Sequence, residues 1–178
     1  MASETVPHYL SGLMTTIARG FLLTVVLPLV PALLFTIPVP TALALISATL
    51  IIEYGAAPIG LGLGLPAAFV LYVLCCVALG VILTLYDIFD LLGERSERVS
   101  RFLKKSSERA GRSVFLKKYG IYGLVPGVMT LGFYVCPPVS RVLGWPRSRS
   151  IVLIMAGYVT ISLLTMLASG GLFQKSIY

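Results

Sequence analysis

Ile52-Glu53-Tyr54-Gly55-Ala56-Ala57-Pro58-Ile59-Gly60-Leu61-Gly62-Leu63-Gly64-Leu65-Pro66 combines two properties that rarely share a segment: it is almost wholly apolar, and it is full of helix breakers. In a helix interior a glycine costs about 1 kcal/mol relative to alanine and a proline about 3 kcal/mol. The stretch also contains Glu53, the only charge between Arg19 and Asp87, with 33 uncharged residues on either side of it. A helix that crosses the roughly 30 Å hydrocarbon layer needs about 20 apolar residues. Residues 41–65 are therefore long enough to cross a bilayer but built to turn. The pattern predicts a re-entrant hairpin that enters the membrane, reverses near Glu53 to Pro58 and leaves on the side it entered.

The flanking sequence fits a membrane setting. Only 12% of the 178 residues are charged and 57% are apolar, with a mean hydropathy of +0.95, whereas soluble domains carry about 25% charged residues. Residues 20–37 read as a span, with Pro28 and Pro31 expected to kink it, and Thr41 as the start of the next helix. Residues 67–86 form a clean span, and 150–168 another. Between the last two, 119–140 repeats the hairpin pattern with Gly120, Gly123, Pro126, Gly127, Gly132, Pro137 and Pro138. The fold class expected is an all-α integral membrane protein in one domain over 1–178. Its two halves each hold a broken hairpin followed by a true span, in opposite orientations, as in many transporters.

Charge placement supports that count of crossings. The net charge is +7, from 14 basic and 7 acidic residues. From Asp87 to Lys118, nine basic residues face five acidic ones, a local balance of +4. Basic segments between membrane helices stay in the cytoplasm and attract anionic lipid heads. If 41–65 and 119–140 are both hairpins, then Arg19, this cluster, Arg141, Arg147 and Arg149 all share the cytoplasmic side. Asp87, Arg95, Arg98, Arg101, Lys104, Lys105, Arg147 and Arg149 are accordingly read as topology and interface residues. Residues 95–117 show apolar positions at i+3 and i+4 spacing, and are read either as an amphipathic interfacial helix or as a solvated one. The chain is placed in a cell membrane, multi-pass, with membrane lipids as partners and no role in nucleic-acid binding. Its small size invites a homodimer.

Enzyme and cofactor signatures are not found. Three cysteines (Cys75, Cys76, Cys136) and one histidine (His8) do not make a zinc or haem site, and the cysteines read as small packing residues. There is no HExxH, no G-x-S-x-G and no phosphate-binding loop ending in Lys and Ser or Thr. No enzyme activity and no cofactor are expected, and transport, if any, runs on a gradient or passively. Arg19 is the first positive charge, so no cleaved secretory signal is expected.

Five residues are candidates for a transport site. A carboxylate in hydrocarbon is costly unless it is neutral, paired or wet. Glu53 therefore either handles protons or headgroups, or caps the Gly55 and Ala56 amides at its own turn. Arg141 is the candidate counter-charge from the second hairpin, suited to phosphate by its planar donors; otherwise it anchors topology with Arg147 and Arg149. Pro58, Pro126 and Gly127 are read as breakpoints, either with freed backbone groups that line a polar cavity or as simple hairpin geometry.

Ile52-Glu53-Tyr54-Gly55-Ala56-Ala57-Pro58 resembles the E-x-x-G-A-x-P signature of the small multidrug export proteins. Lys118-Tyr119-Gly120-Ile121-Tyr122-Gly123-Leu124 and Leu143-Gly144-Trp145-Pro146-Arg147 resemble that family's second-half elements. The family is related to the DedA-like, VTT-domain (SNARE-associated Golgi protein) membrane proteins. The resemblance covers roughly residues 40–170. It implies two inverted re-entrant hairpins and the flipping of polyprenyl phosphates or phospholipids, with Glu53 and Pro58 as carried-over residues. The second hairpin departs from the family's P-x-P-G-T-G breaker, keeping only Pro126-Gly127 and Cys136-Pro137-Pro138. The functional expectation is a transporter or scramblase for a phosphate-bearing lipid, with protons as coupling ion. An efflux carrier for hydrophobic cations and a non-transporting scaffold are the alternatives.

Overall fold

The computed structural model describes residues 14–34, 36–95 and 120–175. Most of the expected helix over 95–117, with Arg98, Arg101, Lys104 and Lys105, lies outside the described residues. Four described helices are long and apolar enough to cross a membrane: Met14–Leu33, Val39–Gly62, Ala67–Asp90 and Arg147–Gly170. The chain is an all-α, multi-pass membrane helical bundle.

The first helix, α1 (Met14–Leu33), widens into a π turn over Leu22–Val26, where the Leu27 amide bonds Leu22 O. The Pro28 nitrogen carries no hydrogen for the carbonyl one turn back, so the disturbance expected of Pro28 and Pro31 falls at least partly just ahead of them, as a wide turn. Helix α2 (Val39–Ile52) begins at Pro38, with Pro40 in the first turn, where a missing N–H is harmless; Thr41 lies inside the helix and does not cap it. It stops at Glu53, whose φ of 57° and ψ of −127° no regular helix accepts.

A 3-10 turn, Glu53–Gly55, leads into α3 (Ala56–Gly62). A Cβ placed on Gly60 would lie 3.1 Å from Leu45 Cδ1. Along an unbroken helix those fifteen residues would span about 22 Å. Val39–Gly62 therefore does not run straight, and α3 doubles back on α2. The second broken segment does the same. A 3-10 turn, Gly120–Gly123, enters α5 (Leu124–Leu131); the chain breaks at Gly132 and resumes as α6 (Cys136–Val142). A Cβ on Gly127 would lie 3.8 Å from Cys136 Sγ.

Between these two segments runs α4 (Ala67–Arg95), and α7 (Arg147–Lys175) closes the chain. Half of the apolar window of α4 is buried, against 28–33% in the other three long helices, which makes α4 the central post of the bundle. Its buried residues include Phe69, Val70, Val73, Leu74, Val77, Ala78, Ile82 and Tyr86, which recur every three or four positions. α1 crosses α4 in the opposite sense through matched Gly-x3-Thr pairs. Gly20 faces Thr84, and Gly80 faces Thr24, so closely that a Cβ on either glycine would collide with the threonine. Small residues at such crossings let membrane helices approach backbone to backbone. Among the exposed residues of α1 are the large apolar side chains Met14, Ile17, Phe21 and Leu22.

The two broken segments end in the same way. Leu63-Gly64-Leu65-Pro66 and Leu143-Gly144-Trp145-Pro146 both turn through a glycine of positive φ, 75° and 69°. Their backbone bonds match at an offset of eighty residues: Leu63 to Ile59 and Leu143 to Val139, Gly64 to Leu61 and Gly144 to Arg141, Leu65 to Gly60 and Trp145 to Ser140, Val70 to Pro66 and Ser150 to Pro146. The segments attach at opposite ends of α4. Gly60 packs against Val70, whereas Ser140 bonds the Tyr86 hydroxyl.

Candidate functional site

The tips of the two broken segments meet at Glu53. Its Oε2 accepts a hydrogen bond from the Phe133 amide at 3.2 Å. The tyrosines that follow each tip position exchange bonds across the joint. Tyr54 donates to the Met129 carbonyl at 3.4 Å, and Tyr134 donates to the Leu50 carbonyl at 2.5 Å. Each hydroxyl thus satisfies a carbonyl near the end of the opposite helix, which an abrupt helix end would otherwise leave unpaired. Phe133 is fully buried, tilted against Tyr134 at 4.4 Å between ring centroids and edge-on to Tyr158 at 5.1 Å. The Tyr54 carbonyl accepts from Thr165 of α7 at 3.5 Å.

The hydrogen bond described for the Glu53 carboxylate goes to Phe133, on the other broken segment, and not to the Gly55 or Ala56 amide of its own turn. Its backbone holds a positive φ that a non-glycine residue adopts at a cost of about 1–3 kcal/mol. That conformation swings the carboxylate out of its own hairpin and towards the other. Gly132 makes room for it, because a Cβ there would coincide with the carboxylate, and its φ of 80° suits glycine.

The other expected site residues fall elsewhere. Arg141 does not face Glu53; it forms an ion pair with Asp90, because it sits eight residues past Phe133 on a leg that leads away from the tip. Pro58, Pro126 and Gly127 are not the breakpoints. They lie inside α3 and α5, the two prolines each at the third residue, where a proline lacks no intrahelical bond. The breaks fall at Glu53 and Gly132 instead. The Pro126 and Gly127 carbonyls are engaged by Thr130 Oγ1 at 3.1 and 3.2 Å, so they do not line a free polar wall.

Apart from Glu53, the charged side chains described gather at one end of the bundle. Arg147 bonds Asp87 at 2.6 Å and Asp90 at 3.2 Å, and its guanidinium lies 5.4 Å over the Tyr86 ring. Asp87, expected as a helix-end anchor, lies inside α4 and eight residues before its last residue, where it pairs with Arg147; Asp90, not singled out from the sequence, pairs with two arginines. Among the described residues no group of three His, Cys, Asp or Glu could hold a metal ion. The cysteines are free thiols.

Fold and site together define a helical membrane protein with a single carboxylate set between two broken segments. No protein-family model, no curated protein and no solved structure matches this chain.

Proposed function

We propose that this chain is a small transporter or scramblase that moves an amphipathic, phosphate-bearing lipid across the bilayer, with Glu53 exchanging protons at its centre. The observation that carries the reading is the Glu53 carboxylate, bonded to the Phe133 amide where two doubled-back helices touch. Irregular backbone at membrane depth is tolerated where it is covered by protein or lines a wet cavity. Broken helices meeting at the midplane are the usual setting of substrate and ion sites in secondary transporters.

In this reading the segments 39–62 and 120–142 are re-entrant hairpins, inserted from opposite faces and related as an inverted repeat. The eighty-residue match of their turns and their attachment to opposite ends of α4 support it. The end holding Arg19, Asp87, Asp90, Arg141, Arg147 and Arg149 is then the cytoplasmic face, as the positive-inside rule prefers. Resemblance to the small multidrug export and DedA-like proteins in the Glu53 segment points the same way. No bond of the lipid is made or broken, so the chain acts as a carrier and not as an enzyme.

The test is flipping of a labelled polyprenyl phosphate and a labelled phospholipid by the purified protein in liposomes, beside Glu53→Gln. Flipping by the unsubstituted chain that is lost in Glu53→Gln supports the proposal. Folded protein that flips neither lipid, with or without a proton gradient, overturns it.

One observation favours a second reading, efflux of hydrophobic cations: among the described residues Glu53 has no cationic partner. The same liposomes given a fluorescent lipophilic cation discriminate the two. Glu53-dependent cation movement without lipid flipping selects the efflux reading.

A further inference from the structure

An open cleft of about 280 Å³ lies at the charged end of the bundle, where α1 meets the end of α4. Thr16, Arg19, Gly20, Thr84, Asp87 and Arg147 line it. Four charges at this end cancel, since Arg141 pairs with Asp90 and Arg147 with both Asp87 and Asp90. Arg19 has no ion pair among the described residues, which leaves the cleft with one uncompensated positive charge. Asp87 also faces the cleft, but the Arg147 guanidinium at 2.6 Å offsets its charge. Thr84 Oγ1 is committed to the Gly80 carbonyl at 2.7 Å, so Thr16 supplies the remaining hydroxyl.

Beside the cleft, α1 presents Met14, Ile17, Phe21 and Leu22, each 54–75% exposed. Ile17 and Phe21 are one turn apart on a face adjacent to that of Thr16 and Gly20. A cationic notch thus opens beside an apolar strip, at the level where α1 and α4 pass from apolar to charged sequence.

We infer that this cleft docks the phosphate headgroup of a membrane lipid, with Arg19 pairing the phosphate oxygens, Thr16 donating to them, and the acyl chains lying along Ile17, Phe21 and Leu22. A guanidinium matches two phosphate oxygens at once, which gives the pairing its geometry. A free anion in the cleft would meet Arg19 as its one unpaired cation, and exposed ion pairs alone are weak. A lipid adds chain burial to the same contact, and two weak attachments combine as they do for lipid anchors. The site deepens the transport reading by giving the headgroup a place to dock. Docking is measured without transport, so either can fail alone.

The test uses the full chain, purified in neutral detergent, with its unfolding temperature measured in the presence of short-chain phosphatidate, the matching diacylglycerol, or glycerol 3-phosphate. Phosphatidate is expected to raise the unfolding temperature of the unsubstituted chain and of Arg149→Gln, and to leave that of Arg19→Gln unmoved. Diacylglycerol and glycerol 3-phosphate are expected to give no shift. An equal shift with diacylglycerol removes the phosphate from the argument, an equal shift with glycerol 3-phosphate makes the ligand a soluble anion, and a full shift in Arg19→Gln removes the arginine; each overturns the site. Native mass spectrometry of the unsubstituted chain repeats the comparison without a variant. Phosphatidate adducts that outlast diacylglycerol adducts support the site, and equal survival overturns it.

Discussion

The carboxylate of Glu53 occupies the space into which a side chain on Gly132 would project. One residue supplies a charge held at positive φ, and the other supplies the absence of a side chain at positive φ. Gly132→Ala is therefore expected to destabilise the fold twice over, through its own backbone and through displacement of Glu53, by about 2–4 kcal/mol in all. Residues in contact do not contribute additively. Combined with Glu53→Gly, the alanine should cost measurably less than it does alone. Unfolding of the purified single and double variants checks this, and strict additivity would show that the two positions do not meet.

Glu53 holds a conformation that favours glycine, in a setting that penalises charge. Replacing it by glycine should raise stability, by about 1 kcal/mol from the backbone alone, while Glu53→Ala keeps the strain and gains less. Both should abolish movement of substrate in liposomes. A natural sequence that retains a destabilising residue at such a joint trades stability for activity. Glu53→Gly that is less stable than the unsubstituted chain would mean that the Phe133 bond outweighs the strain.

The helical membrane fold was legible because hydrophobic runs of spanning length and clusters of Gly and Pro are local signals. Glu53 stood out for the same reason, as a lone charge in an apolar run. Its partner did not, since the Phe133 amide is a backbone group eighty residues away and leaves no mark on composition. The breakpoints were misplaced at Pro58, Pro126 and Gly127 because proline disrupts a helix interior but not its first turn. The positive-φ residues Glu53 and Gly132 make the breaks instead. Two signals were available in the sequence. Leu-Gly-x-Pro recurs at 63–66 and 143–146, with Tyr54 and Tyr134 at the same offset, and Gly-x3-Thr occurs at 20–24 and 80–84. Arg141 was drawn towards Glu53 by charge alone, whereas the leg that carries it brings it to Asp90.

Asp90 forms ion pairs with two arginines on different elements, one in α6 and one in α7, and Asp87 with one. All four side chains are between 26% and 40% exposed, so each pair is worth little singly. As the anion shared by two ion pairs, Asp90 should matter more. Asp90→Asn is expected to cost about 1 kcal/mol and Asp87→Asn about half of that, with both losses shrinking as salt is raised. Unfolding of the two variants at low and high ionic strength measures the order, and equal costs would remove Asp90 from the centre of the network.

The doubling back of α3 on α2 separates this architecture from a bundle in which residues 39–62 simply cross. Length and hydropathy cannot decide between them, since the segment has 24 residues and is largely apolar, with Glu53 its only charge. Distance can. A straight helix puts Leu45 and Gly60 about 22 Å apart, whereas here the Leu45 side chain reaches to 3.1 Å from the Cβ position of Gly60. In a chain with Cys75, Cys76 and Cys136 replaced by alanine, the pair Leu45→Cys and Gly60→Cys should be joined by a short thiol-reactive linker. Gly60 also touches Val70, so the added side chain must push against α4, and the unlinked double variant has to be shown folded first. Leu45→Cys with Leu63→Cys is the second pair, placed past the turn to avoid that crowding. Folded protein in which neither pair links would restore the straight crossing, add a passage through the membrane, and set the first broken segment's tip away from Phe133. Linking of either pair within one chain, seen as an intact monomer of altered mobility, fixes the reversal at Glu53.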